Sequence, residues 1–298
     1  RPHSPTAELS VNTGKCNASK DFQWMETNVP CQKACPAGTD IPAYLTAIAE
    51  GDPEEAYRIN LRDNIFPAVL GRVCSRPCEA ACRHGYEGLG DSVAICFSKR
   101  SAADFKSEPR ILLDPTFPPS GKRVAVVGSG VAGLAAARNL TLLGHLVTIY
   151  EKHSIPGGML NQGIPEFRLP REIIEREISQ ITGLGVDIVC NTAIGSDVLL
   201  SNLLEDFDAV IMAAGTLKPN LLNLPGNGLD GIRHGLDVLR EVNETGSTDI
   251  GRRVIVIGGG FTAMDCARTA QRMGVQTAQW DLKVLYRRSQ SEMRVAPG

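Results

Sequence analysis

Two stretches of this chain, "KRVAVVGSGVAGLAAARNLTLLGHLVTIYEK" and "RRVIVIGGGFTAMDCARTAQRMG…LKVLYRR", repeat one plan: apolar run, glycine loop, helical run, second apolar run. They begin about 130 residues apart. An apolar strand that runs into glycines and then into an alanine-rich helix leaves few options. The backbone must turn within a few residues, cross over, and return as a parallel neighbouring strand. The expected fold is therefore α/β, with two Rossmann-like βαβ units.

In the first unit Gly128, Gly130 and Gly133 form G-x-G-x-x-G directly after the strand Val124–Val127. The first glycine permits the tight turn, the second lets a pyrophosphate approach the backbone, and the third lets helix pack on strand. Ala132, at the head of the helix, belongs to the same site. The pyrophosphate would rest on the helix N-terminus, where unpaired N–H groups favour an anion. The next strand ends in Glu151, placed to accept hydrogen bonds from an adenosine ribose. A plain glycine-rich turn would not require that carboxylate. Downstream, "GGMLNQGIPEFRLP" supplies Gly158, Met159 and Arg168, and "DAVIMAAGT" is a buried strand reaching Gly215. These additions fit a cofactor held along its length, as FAD is.

The second loop carries Gly258, Gly260 and Ala263, alanine being an accepted third residue. Where an NAD site would place an acid, at the end of the next strand, this chain has Arg287 and Arg288. Two guanidinium groups there suit a 2′-phosphate, so NADPH is the expected nucleotide. The competing reading is a solvated strand end. Asp265 reads as a cap or packing partner. His3, His84, His145, His153 and His234 lack metal-ligand spacing and read as structural.

Residues 1–108 have a different texture. "IPAYLTAIAEG" and "DPEEAYRINLRDN" show helical apolar spacing, with Asp52 as N-cap and Pro53 at the first helical position. Seven of the nine cysteines lie here: Cys16, Cys31, Cys35, Cys74, Cys78, Cys82 and Cys96. The remaining pair, Cys190 and Cys266, are far apart. An odd total ahead of nucleotide-binding units argues for a reducing interior and metal-bound thiolates over a disulfide scaffold. Zinc modules favour C-x2-C knuckles, whereas this chain has C-x3-C-P and C-x3-C-x3-C, which favours iron–sulfur. Pro77 is expected to start a helix that puts Cys78 and Cys82 one turn apart on one face. Residues 109–121, with four prolines, read as a linker. Residues 122–250 read as the FAD unit and 251–298 as the start of an NAD(P)H unit.

The net charge of −2 offers no basic field to nucleic acid, and no run of eighteen apolar residues suggests a membrane span. The N-terminus reads as trimmed, without an initiator Met or signal-peptide core. The expected location is cytoplasmic.

The segments "PCQKACPAGTDIPAYL", "NIFPAVLGRVCSRPCEAAC", "GSGVAGLAAARNL", "GGMLNQGIPEFRLP" and "VIGGGFTAMDCA" together resemble the glutamate synthase small-subunit family. The same likeness extends to the N-terminal half of dihydropyrimidine dehydrogenase and the large subunit of electron-bifurcating ferredoxin:NADP transhydrogenase. The resemblance implies an all-helical domain with two [4Fe–4S] clusters, then glutathione-reductase-like FAD and NADPH domains. By position, one cluster would take Cys35, Cys74 and Cys78. Its fourth ligand is a glutamine in dihydropyrimidine dehydrogenase; this chain has no glutamine there, and Cys96, close by in "VAICFSKR", is the expected ligand. The second would take Cys31 and Cys82, but the upstream C-x2-C pair is missing and only Cys16 remains. One cluster is thus expected, with the second uncertain.

The resemblance also implies that the nicotinamide unit is incomplete and the chain a fragment. If the natural chain ends at Gly298, weak NADPH binding is expected. The expected function is an oxidoreductase subunit that passes electrons between NADPH, FAD, [4Fe–4S] and a partner subunit in a hetero-oligomer, with no separate acid–base residue. The alternatives are a diaphorase subunit of another complex (transhydrogenase, hydrogenase or formate dehydrogenase) and a scaffold subunit that has lost a nucleotide.

Overall fold

The computed structural model describes residues 28–86, 88–216, 225–275 and 281–293. Cys16 and His3 lie outside them.

Among the described residues up to Phe105, helices are the only regular structure. They are α1 (Pro30–Ala34), α2 (Ile41–Ala49), α3 (Pro53–Asp63), α4 (Pro67–Val73), α5 (Pro77–Ala80), α6 (Arg83–Tyr86) and α7 (Ile95–Phe105). Five of them, α1 to α5, carry proline in the first turn, where a missing N–H costs nothing. Asp40 and Asp52 cap α2 and α3, accepting from Ala43 N at 3.1 Å and Glu55 N at 2.9 Å. Two expectations meet different outcomes here. Asp52 and Pro53 begin α3 as read, but α5 stops at Ala80. Cys82 therefore lies beyond the helix that carries Cys78, and the two do not share a helical face.

The chain then enters α/β structure: β1 (Arg123–Val127), α8 (Val131–Leu142), β2 (Leu146–Tyr150), α9 (Met159–Gln162), α10 (Arg171–Thr182), β3 (Asp187–Val189), α11 (Leu200–Asp206) and β4 (Ala209–Met212). These strands make a parallel sheet in the order β3-β2-β1-β4, with Val124 in register with Val147 and Ala209. After α12 (Gly235–Thr245), β5 (Arg253–Ile257), α13 (Phe261–Val275) and β6 (Asp281–Leu285) form a second βαβ unit. Its two parallel strands pair Val254 with Leu282.

One hydrophobic core spans the helical part and the first sheet. Tyr57, Leu61, Phe66, Val69 and Ala103 join Val126, Leu134, Val147, Ile149 and Ile174 in a single buried cluster. The proline-rich stretch lacks regular structure but is packed along the sheet unit. Ile111 is buried in that core, Thr116 N–H donates to Leu142 O at 2.7 Å, and Ser120 N–H to Gly144 O at 2.8 Å. The helices and the first nucleotide unit are thus one packed body.

Candidate functional site

The first glycine loop does what its spacing requires. Gly128 has φ +103, and a Cβ there would stand 2.5 Å from Ala213 O at the end of β4. A Cβ on Gly133 would lie 1.9 Å from Gly128 O and 3.2 Å from Val126 Cγ1, so α8 could not sit this close to β1 with any side chain. A Cβ on Gly130 would meet nothing within 4 Å. Gly130 therefore leaves open space at the start of α8, where a pyrophosphate would lie. Ala132 follows in the first turn of that helix.

The stretch from Gly157 folds back onto this loop. Gly157 N–H donates to Ser129 O at 3.0 Å. Gly158 approaches so closely that its Cβ would fall 2.9 Å from Gly130 Cα. Gly158 has φ +52 and opens α9, whose first residue is Met159. Gly215, φ +71, follows β4 on the same edge of the sheet. The loop, Gly158, Met159 and Gly215 thus gather at the C-terminal ends of the strands, where open α/β sheets bind ligands.

Glu151 follows β2 and is buried. Burial works to raise its carboxyl, but hydrogen bonds from Ser129 and His153 win and hold it below the usual range. Ser129 N–H and Oγ donate to Oε2 at 2.9 and 2.5 Å, and His153 N–H donates to Oε1 at 2.9 Å. The acid is thereby a fixed anion tied to the glycine loop. Arg168 pairs with Asp265 of α13 at 2.5 Å, and its guanidinium lies over the Phe261 ring at 5.5 Å. Asp265 is the packing partner its position suggested, and the arginine it packs with was not foreseen.

In the second loop Gly258 has φ +138, and a Cβ on it would stand 3.2 Å from the Ala263 Cβ. Space around a Cβ on Gly260 is open. The Tyr286 ring fills the room beside Gly259, 2.4 Å from where its Cβ would be. Arg287 and Arg288 follow β6 and are exposed, with Arg288 stacked 5.4 Å from the Tyr286 ring.

The N-terminal cysteines sort into two groups. Cys35, Cys74 and Cys78 line one cavity with Tyr44, Asn60 and Lys99. Cys96, on the first turn of α7, is buried against them. The Cys96 thiol hydrogen-bonds to Cys74 and Cys78, which lowers both of those pKa values and raises its own. Arg76 adopts φ +61, unusual for a side-chain-bearing residue, and so aims its N–H at Cys74 Sγ, 3.4 Å away. Glu79 Oε1 accepts from Cys96 N–H at 2.8 Å and fixes the start of α7. Cys31 lies near enough to Cys82 and Cys78 for their charge to raise its pKa, after burial as the larger cause.

None of the eight described cysteines, Cys190 and Cys266 included, is in a disulfide, and no three His, Cys, Asp or Glu side chains among the described residues are arranged to hold a single metal ion. Soft sulfur ligands around a cavity suit an iron–sulfur group. Three of the four described histidines have ring contacts within the fold, whereas the buried His153 Nε2 has no hydrogen-bond partner. His84 Nδ1 meets Asp91 O at 2.8 Å, His145 Nδ1 meets Ser120 Oγ at 2.7 Å, and His234 Nδ1 accepts from Leu236 N–H at 3.3 Å.

Two glycine-loop βαβ units in one chain define a dinucleotide-dependent oxidoreductase. Residues 122–296 match the pyridine nucleotide-disulphide oxidoreductase family, and the chain belongs to it. Residues 13–111 match dihydropyrimidine dehydrogenase domain II, 4Fe–4S cluster. Family membership implies FAD and the N-terminal match a 4Fe–4S group, and the residues above fit both.

The chain is 43% identical over 272 residues to the NADPH-Fe(3+) oxidoreductase subunit beta of Geobacter sulfurreducens, covering 89% of this chain and 39% of the relative. It is 39% identical to the NADP(+)-dependent formate dehydrogenase subunit beta of Moorella thermoacetica (89% and 40% covered). It is 36% identical to the glutamate synthase [NADPH] small chain of Azospirillum brasilense (88% and 57% covered). The chain therefore spans less than two thirds of the length of these relatives. No helix among the described residues is long and apolar enough to cross a membrane.

Proposed function

We propose that this chain is the electron-transfer part of an NADPH-dependent flavin and iron–sulfur oxidoreductase subunit. One observation carries the reading: the cysteine-lined cavity lies in a helical cluster whose helices α3 and α7 also enter the core shared with the first sheet, so the cavity and the dinucleotide loop would hold their groups at fixed separation. Gly128, Gly130 and Gly133 would cradle the FAD pyrophosphate, Glu151 would take the ribose, and Gly158, Met159 and Gly215 would close over the strand ends. Gly260 leaves room for the NADPH pyrophosphate, and Arg287 with Arg288 would take its 2′-phosphate. Cys35, Cys74, Cys78 and Cys96 would ligate the cluster. Flavin accepts hydride as an electron pair and releases single electrons to an iron–sulfur group, and the protein supplies placement and electrostatics.

Each relative above is named as a subunit or small chain, which supports a partner subunit as the electron acceptor or donor. The 43% and 39% relatives exceed the glutamate synthase chain at 36%, which favours an oxidoreductase complex other than glutamate synthase.

Anaerobic titration of the FAD- and iron-reconstituted protein with NADPH tests the reading. The flavin visible band should bleach, with iron and acid-labile sulfide equal to at least one cluster per chain. No bleaching with either NADPH or NADH would refute it.

A further inference from the structure

The cavity beside the cysteines holds two groups that the ligand set alone does not explain. Lys99 lies three residues after Cys96 on α7, only 7% exposed, and lines the cavity with Cys35, Cys74 and Cys78. No salt bridge joins it to a carboxylate among the described residues. Asn60, fully buried, lines the same cavity. Its Nδ2 donates to Ala56 O at 2.8 Å, while Oδ1 has no hydrogen-bond partner. A buried ammonium is strongly disfavoured unless negative charge stands beside it. The carboxylate of Glu79 is already engaged by Cys96 N–H at 2.8 Å and lies 3.9 Å from Arg76. Besides Asn60, the polar groups that line the cavity with Lys99 are Thr39, Tyr44 and the sulfurs of Cys35, Cys74 and Cys78.

We propose that Lys99 is the built-in counter-charge of this cysteine site, a positioning residue that offsets the negative charge of a four-thiolate iron–sulfur group and raises its reduction potential. The inference rests on the function proposed above. Each added electron makes such a group more negative, so a fixed cation close by favours the reduced state. Asn60 Oδ1 is the free acceptor that would steady the ammonium in the cavity. Cys96 and Lys99 share one face of α7, so one helix face delivers a ligand and its compensating charge together.

The test compares the reconstituted parent with Lys99→Met and Lys99→Arg. Iron and sulfide are measured first, and the midpoint potential is then read by electron paramagnetic resonance during a redox titration. Lys99→Met should lower the potential, and Lys99→Arg should stay near the parent. An unmoved potential in Lys99→Met, with normal iron, overturns this assignment alone. If Lys99→Met binds no iron, a full complement in Lys99→Arg still supports the charge. Loss in both variants makes Lys99 a packing residue and overturns it. A parent that binds no iron overturns the proposed function as well.

Discussion

Tyr57 of α3 donates its phenolic hydrogen bond to Glu177 of α10, and each residue is 1% exposed. The other carboxylate oxygen accepts from Ala68 N–H at 3.1 Å, in the first turn of α4. Cys74 follows the last residue of that short helix. A single buried acid on the nucleotide unit thus fixes the helix that delivers a cavity cysteine. The placement of the cysteine site relative to the sheet depends on it.

Burial pushes the Glu177 carboxyl up to about 7, although Tyr57, the Ala68 and Val69 N–H groups and Arg176 pull the other way. Lys106 also feels its charge. An acid raised in the folded state contributes stability that is complete below its unfolded pKa and is lost as pH rises through the folded value. The window therefore runs from about pH 4.5 to about pH 7. At about 1.4 kcal/mol per unit the contribution is roughly 3 kcal/mol. Glu177→Gln cannot ionise, so the parent should lose roughly this much relative to the variant across the window. Urea unfolding of both proteins at the two ends of the window checks it, and equal pH dependence would refute the account.

Much of this was legible locally and some could not be. Glycine spacing foretold the tight turn at Gly128 and the close helix packing at Gly133, because each is a backbone constraint set within one turn. The grouping of Cys35 with Cys74 and Cys78 came from family resemblance; these three line one cavity, and Cys96, chosen for its nearness in sequence, hydrogen-bonds to Cys74 and Cys78. The Tyr57–Glu177 and Arg168–Asp265 contacts join residues 120 and 97 positions apart, and neither pair leaves a periodic trace. Lys99 belongs to no motif, and its burial is set by the fold rather than by any local pattern. The Pro77 helix was read too long, since nothing in "PCEAACRHG" marks a stop at Ala80.

Gly130 and Gly133 should separate binding from folding. Gly130→Ala adds a methyl to open space at φ −69, so the flavin-free protein should keep its unfolding temperature. The methyl would occupy the pyrophosphate position, and FAD affinity should fall at least about tenfold, or about 1.4 kcal/mol. Gly133→Ala drives a methyl into the Gly128 carbonyl, 1.9 Å away. It should cost about 3 kcal/mol of stability, a large overpacking penalty. Flavin titration and thermal unfolding of both variants distinguish the effects, and matching behaviour would contradict the assignment.

Arg287 and Arg288 stand exposed after β6, free to meet a ligand on the second glycine loop. Reversing one charge should matter only when a 2′-phosphate is present. Arg287→Glu is expected to raise KM for NADPH at least about tenfold, the loss of roughly 1.4 kcal/mol of binding, with KM for NADH nearly unchanged. Parallel steady-state assays with the two nucleotides decide it. Equal losses would leave the 2′-phosphate assignment without support.

Arg168 and Asp265 join the first nucleotide unit to α13 of the second, at 2.5 Å and with side chains 19% and 7% exposed. The geometry is charge-assisted and largely shielded from water, so removing one partner strands the other. Arg168→Met leaves a buried carboxylate unpaired and should cost about 3 kcal/mol or more. Asp265→Leu should cost less, because an arginine can carry its charge outward along a flexible stem. The double variant should be more stable than Arg168→Met alone, since the stranded charge is gone. A double-mutant cycle by urea unfolding measures the coupling. The FAD unit should keep its flavin in all three variants if Arg168 serves the joint between the units, whereas flavin loss in Arg168→Met and in the double variant, with Asp265→Leu retaining it, would place Arg168 on the cofactor instead.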